Sequence, residues 1–165
     1  KQVVVFDIAP ERLELGKHLG ATGGINTLDQ DFMDQAMALT DGNGFDYVYE
    51  TAGNTITMKM AFELAANKAQ VCFVGTPTRE LTFSVKEWEN INRKEFTLTG
   101  SWMSYSAPFP GHEWDMTAHY FKTGELKIDE SFIFKKIPLS EIASAFEMYK
   151  TPGTVKGKIL IDSEK

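Results

Sequence analysis

The sequence predicts an α/β fold with a doubly wound parallel sheet, because short apolar runs alternate with helical stretches along the chain. The runs are β-branched and continuously apolar, as in Gln2-Val3-Val4-Val5-Phe6 and Val71-Cys72-Phe73-Val74, the pattern of strands covered on both faces. With 165 residues, 42% of them hydrophobic, the chain has the make-up of a globular domain rather than a disordered or fibrous one.

The first strand, Gln2–Phe6, feeds a helix opened by Pro10, whose missing N–H costs nothing in a first turn. Leu15 and Leu19 share a face of that helix, and Gly20 is placed to end it. A short strand follows at Thr22–Asn26. The second cycle predicts a helix over Gln30–Leu39, a turn at Asp41-Gly42-Asn43-Gly44 and a strand over Phe45–Glu50. The third runs from Gly53-Asn54, through a helix with Met58, Ala61, Phe62 and Ala65 inward, to the strand Gln70–Val74. A helical or irregular stretch near Lys86–Asn92 precedes the strand Phe96–Gly100.

Pro108 and Pro110 make Ser104–Gly111 irregular, and a helix is expected over Glu113–Lys122. The last third predicts a strand at Phe132–Lys136, then a helix over Ser140–Lys150 with Ile142, Phe146 and Tyr149 on one face. A turn at Gly153 and a strand at Lys158–Ile161 complete it. The expected division is 1–105 for the sheet domain, 106–131 for a connecting segment and helix, and 132–165 for a C-terminal strand–helix–strand segment.

A net charge of −6 argues against a nucleic-acid surface, which needs clustered Lys and Arg. The apolar runs are strand-sized and too short to span a bilayer, and the chain enters a strand with no signal peptide before it. One cysteine, Cys72, excludes a disulfide framework and predicts a reducing cytoplasm; within its apolar run it reads as a small buried hydrophobe. A strand that starts at residue 2 is what a piece of a longer protein would show.

Asp7 stands at the carboxyl end of the first strand, where doubly wound sheets bind ligands. A carboxylate there can accept both ribose hydroxyls of an adenosine and repel a 2′-phosphate, which selects NAD over NADP. On position alone it reads equally as an ordinary loop Asp. The glycine-rich phosphate loop of a dinucleotide site belongs roughly 20 residues before such an Asp, but six residues precede it. Gly20…Gly23-Gly24 has the wrong spacing to replace that loop. The expectation is therefore a Rossmann-type sheet lacking its first strand and glycine loop. In the usual strand order 3-2-1-4-5-6, Val3–Phe6 and Phe45–Glu50 would then face an empty slot. Either they close on each other or another chain completes the sheet, so a homo-oligomer is expected.

Val3-Val4-Val5-Phe6-Asp7-Ile8-Ala9-Pro10-Glu11-Arg12-Leu13 resembles the second strand of the medium-chain, zinc-type alcohol and polyol dehydrogenases. Glu50-Thr51-Ala52-Gly53 and Val74-Gly75-Thr76 resemble the ends of their fourth and fifth strands. Pro138-Leu139-Ser140-Glu141-Ile142…Ala145-Phe146 and Gly157-Lys158-Ile159-Leu160-Ile161 resemble their closing helix and strand. The segment from Gly100-Ser101-Trp102-Met103-Ser104-Tyr105 through Pro108-Phe109-Pro110-Gly111-His112-Glu113-Trp114 is similar to the galactitol-1-phosphate 5-dehydrogenases, with Arg93-Lys94-Glu95 agreeing upstream.

The resemblance implies an NAD-dependent oxidation of galactitol 1-phosphate to tagatose 6-phosphate by a zinc enzyme. It implies that Asp7 binds the adenosine ribose and Arg12 covers the adenine or ribose side. Thr51, Ala52 and Gly53 would line the adenosine–ribose cleft. Backbone of Val74 and Thr76 around Gly75, with Ser101 and Met103, would hold the nicotinamide carboxamide. Taken singly, these residues read as core side chains and turn glycines; taken in register at successive strand ends, they read as a cofactor cleft. The family's zinc ligands are Cys, His and Glu of another domain, and His18, His112 and His119 lack partner spacing, so they read as surface histidines. The chain alone is expected to bind NAD weakly, hold no zinc and be inactive. A sorbitol-, threonine- or quinone-type relative, or a non-catalytic nucleotide-binding module, would share the fold.

Overall fold

The computed structural model describes residues 2–102, 111–151 and 153–164. Its elements run β1 (Val4–Asp7), α1 (Pro10–His18), β2 (Gly23–Asn26), α2 (Phe32–Ala38), β3 (Phe45–Glu50), α3 (Thr55–Leu64) and β4 (Ala65–Phe73). Then come α4 (Val85–Trp88), α5 (Asn90–Lys94), β5 (Thr97–Gly100), α6 (His112–Thr123), β6 (Ile133–Pro138), α7 (Ile142–Lys150) and β7 (Lys158–Asp162). Every strand pairing is parallel. The α/β fold class with parallel sheets stands. Two compact units divide the chain: Leu28–Tyr105, and Lys1–Thr27 with Ser106–Lys165.

In the Leu28–Tyr105 unit the sheet order is β3-β4-β5. The turn before β3 is built as its sequence demands, with Asp41, Gly42 and Gly44 at φ 51°, 79° and 84°. A Cβ on Gly44 would lie 2.7 Å from the Leu64 carbonyl oxygen, so glycine is required there. Asn54 caps α3 by accepting from the Ile56 amide at 2.8 Å. The inward side chains of α3 are the expected ones: Met58, Ala61 and Phe62 are buried, with Ala65 just beyond. Ala61, Phe62 and Ala65 meet Val71 and Phe96 in one core, where the Phe62 ring lies 5.0 Å from Phe83 and 5.1 Å from Phe96.

No loop joins α3 to β4: Leu64 ends the helix and Ala65 begins the strand. The carbonyls left open at that helix end are met by Lys94, whose ammonium donates to Phe62, Glu63 and Ala65 oxygens at 2.7–2.9 Å. Burial there pushes the Lys94 pKa below its ordinary value. β4 also begins earlier than expected, because its first residue pairs with Phe45 before a register shift resumes the ladder at Gln70.

In the other unit, β1 pairs with β2 and α1 covers them. Gly16 permits the approach, since a Cβ there would sit 2.9 Å from Val5. The buried residue of α1 is Leu13, and Leu19, at the end of the helix, is exposed. β6 and β7 pair separately, and α7 follows a 3-10 turn over Leu139–Glu141. Ile142, Phe146 and Tyr149 do share a face of α7, but it is exposed, at 66% for Phe146, while Ala145 is the buried residue. Helical periodicity identifies an apolar face without identifying what covers it.

One further expectation is corrected. Cys72 is half-buried rather than buried, because the sheet leaves that side of β4 partly open. Within its own unit, β1 pairs with β2 and β3 with β4. Each strand has its partner through its own strand–helix–strand crossover, which is the lower-cost pairing in sequence. No helix among the described residues is long and apolar enough to cross a membrane.

Candidate cofactor cleft

Register places three carboxyl strand ends level with one another in the Leu28–Tyr105 unit. Glu50 pairs with Phe73 and Phe73 with Gly100. Thr51–Gly53, Val74–Thr76 and Ser101–Trp102 therefore emerge side by side, the position at which parallel α/β sheets hold ligands. The amides of Val74 and Gly75 both donate to the Glu50 carbonyl, at 2.8 and 2.9 Å, and Ser101 donates to the Phe73 carbonyl at 2.9 Å.

Two glycines let the turns close on each other. Gly53 holds φ +65°, and a Cβ there would lie 2.5 Å from the Thr76 carbonyl oxygen. A Cβ on Gly75 would lie 2.1 Å from the Gly53 nitrogen. Val74, Gly75, Thr76, Ser101 and Trp102 line a cleft of about 410 Å³ beside them. Phe73 and Gly100 complete its walls, and the Trp102 indole is 70% exposed. Such walls offer backbone polar groups beside an apolar face.

Asp7 and Arg12 belong to the other unit, at the end of β1 and in the first turn of α1. Arg12 grips Asp7 with both prongs, Nε to Oδ2 at 2.8 Å and Nη2 to Oδ1 at 2.6 Å, while the Ala9 amide donates to Oδ1 at 2.9 Å. Partial burial works to raise the Asp7 pKa. The Arg12 and backbone hydrogen bonds and the Arg12 charge outweigh it and hold the carboxyl below its ordinary 3.8. Asp7 is thus ionised at neutral pH.

The structure brings Thr51, Ala52 and Gly53 together with Val74, Gly75, Thr76 and Ser101, and pairs Asp7 with Arg12. Met103 lies outside the described residues. Sequence reasoning missed Glu50 and Trp102. Glu50 opens the Glu50-Thr51-Ala52-Gly53 motif, and an acid two to three residues ahead of a tight turn's amides was the available signal. Trp102 stood in the Gly100-Ser101-Trp102-Met103 segment that carries the resemblance, but it was given no role in the cleft.

Zinc does not fit: among the described residues no group of three His, Cys, Asp or Glu could hold a metal. His18 is engaged with Asp129, Nε2 to Oδ2 at 2.7 Å.

The Zinc-binding dehydrogenase family model matches residues 2–118. Galactitol 1-phosphate 5-dehydrogenase of Escherichia coli (strain K12) is 33% identical over 129 residues, 78% of this chain and 37% of that protein. D-arabitol-phosphate dehydrogenase of Enterococcus avium is 29% identical over 152 residues, 92% of this chain and 40% of that protein. The crystal structure of galactitol-1-phosphate dehydrogenase from Escherichia coli superimposes with a TM-score of 0.86 at 31% identity, covering 98% of this chain and 46% of that one. The chain thus spans less than half the length of these relatives. With its strand ends stacked as a parallel α/β ligand site requires and the family pattern running through β1 to α6, the chain belongs to the zinc-binding dehydrogenases.

Proposed function

We propose that this chain is the nicotinamide-cofactor portion of an NAD-dependent, zinc-containing polyol-phosphate dehydrogenase that oxidises galactitol 1-phosphate to tagatose 6-phosphate. The similarity to galactitol 1-phosphate 5-dehydrogenase over 78% of the chain carries the reading. NAD supplies the hydride acceptor, and the protein's share is orientation. Asp7 would accept ribose hydroxyls, and its charge would repel a 2′-phosphate. Val74 and Thr76 backbone with Ser101 would fix the carboxamide, and so the ring face that takes hydride. The zinc ligands would come from residues outside this chain.

The 29% identity to D-arabitol-phosphate dehydrogenase over 92% of the chain favours a second phosphorylated substrate class member. Steady-state assays of the full-length protein with NAD and NADP against galactitol 1-phosphate, D-arabitol phosphate and sorbitol decide between them. Galactitol 1-phosphate with NAD should give the highest kcat/KM. A preference for D-arabitol phosphate would favour the second reading. A preference for sorbitol, or nucleotide binding with no turnover on any polyol, would sink both.

A further inference from the structure

Glu50 is 3% exposed and is the buried charged side chain among the described residues. None of the ion pairs among those residues involves it. Taking a carboxylate out of water without a cation is costly unless several dipoles replace the water. Here they do. Oε1 accepts from the Ala52 amide at 3.0 Å, the Gly53 amide at 3.0 Å and the Thr57 hydroxyl at 2.6 Å, and Oε2 accepts from Gly53 at 3.2 Å.

The opposite side of the same carboxylate faces the second turn. A Cβ on Gly75 would come 2.6 Å from Oε2, and the Glu50 carbonyl holds the Val74 and Gly75 amides. One residue therefore fixes the Ala52–Gly53 turn with its side chain and the Val74–Gly75 turn with its backbone, its carboxylate wedged where the turns meet. The strand-end nest of N–H groups, which in other folds receives a ligand anion, is filled by the protein's own carboxylate.

We infer that Glu50 is the positioning residue of the cofactor cleft: it sets the spacing of the two turns on which the nucleotide lies, and closes their amides to phosphate. This rests on the NAD reading given above. A carboxamide in its place keeps one acceptor oxygen but turns an NH2 toward the Gly53 amide and Gly75, so Glu50→Gln should loosen both turns without emptying the core.

The test uses the full-length protein and two readouts. Without cofactor, Glu50→Gln should speed amide hydrogen exchange at Ala52, Gly53 and Gly75 about tenfold, with Val71 and Leu98 unchanged. In steady state the KM for NAD should rise about tenfold, with kcat and the KM for the polyol within about twofold. Thr57→Val should give a smaller change of the same kind, and Thr57→Ser should restore wild-type values, which keeps the test open if Glu50→Gln fails to fold. Unchanged exchange at both turns would overturn the inference. So would exchange raised throughout the unit with NAD binding intact, the mark of a merely structural role. A wild-type protein that binds no nicotinamide nucleotide would instead overturn the functional reading, and the exchange arm would still decide whether Glu50 braces the turns.

Discussion

The Leu28–Tyr105 unit and the unit formed by Lys1–Thr27 with Ser106–Lys165 are written in similar apolar residues but bury them unequally. In the first, α3 presses Met58, Ala61 and Phe62 into the sheet, each at most 2% exposed, and four aromatic neighbours surround the Phe62 ring within 6.5 Å. In the second, α7 carries an equally clear apolar face, yet Phe146 and Tyr149 stand 66% and 54% exposed. A stripe is a property of one helix; burial is a property of two surfaces. The stabilisation comes only from the second.

The sharpest way to break that comparison is to truncate the matching aromatic in each helix. Phe62→Ala should destabilise the protein by about 3–5 kcal/mol, the usual loss for a core phenylalanine. Phe146→Ala should stay within about 0.5 kcal/mol, as an exposed substitution does. Denaturant titration of both variants checks it. A Phe146→Ala cost above that of Phe62→Ala would mean that the α7 face is covered in solution.

A second change asks whether the less buried unit still carries a working site. In the full-length protein Asp7→Ala should weaken NAD binding by one to two decades, the loss of about 1.5–3 kcal/mol from charge-assisted hydrogen bonds, and relieve the exclusion of NADP. Calorimetry with both nucleotides measures it. Wild-type protein that takes NADP as readily as NAD would remove Asp7 from the site.

The smallest effect concerns the exposed link between α1 and the turn before β6. Asp129 accepts from the Ser131 hydroxyl and amide and from His18, and these, the Ser131 hydroxyl first, hold its carboxyl down to about 2. A depressed carboxylate contributes stability above its unfolded value of 3.8 and loses it as pH falls toward about 2. Carboxyl-carbon NMR titration should show the Asp129 midpoint rising toward 3.8 in Ser131→Ala, and rising less in His18→Gln. Equal midpoints in all three proteins would show that the link does not form.

The parallel sheets, the turn at Asp41–Gly44 and the inward face of α3 were legible because each follows from local period or from a positive φ that only certain residues hold. That Thr51–Gly53, Val74–Thr76 and Ser101 emerge side by side was legible because successive strand ends share one edge of a parallel sheet. The Asp129 partner of His18, 111 residues away, was not, since no local pattern encodes a distant neighbour. Glu50 was hidden for a related reason. Its charge reads as a surface residue until the amides that replace its water are placed around it.

The junction at Leu64 and Ala65 has a consequence for how such chains can change over time. Helix passes into strand with no residue between, and a lysine from a later helix threads three carbonyls across the seam. An inserted residue here would rotate that helix end by about 100° and carry its carbonyls away from Lys94. Length variation must therefore collect elsewhere, at turns such as Asp41–Gly44 where no distant side chain is tied to the backbone count. The seam works as a fixed ruler: mutation can alter the letters on either side of it, but not their number.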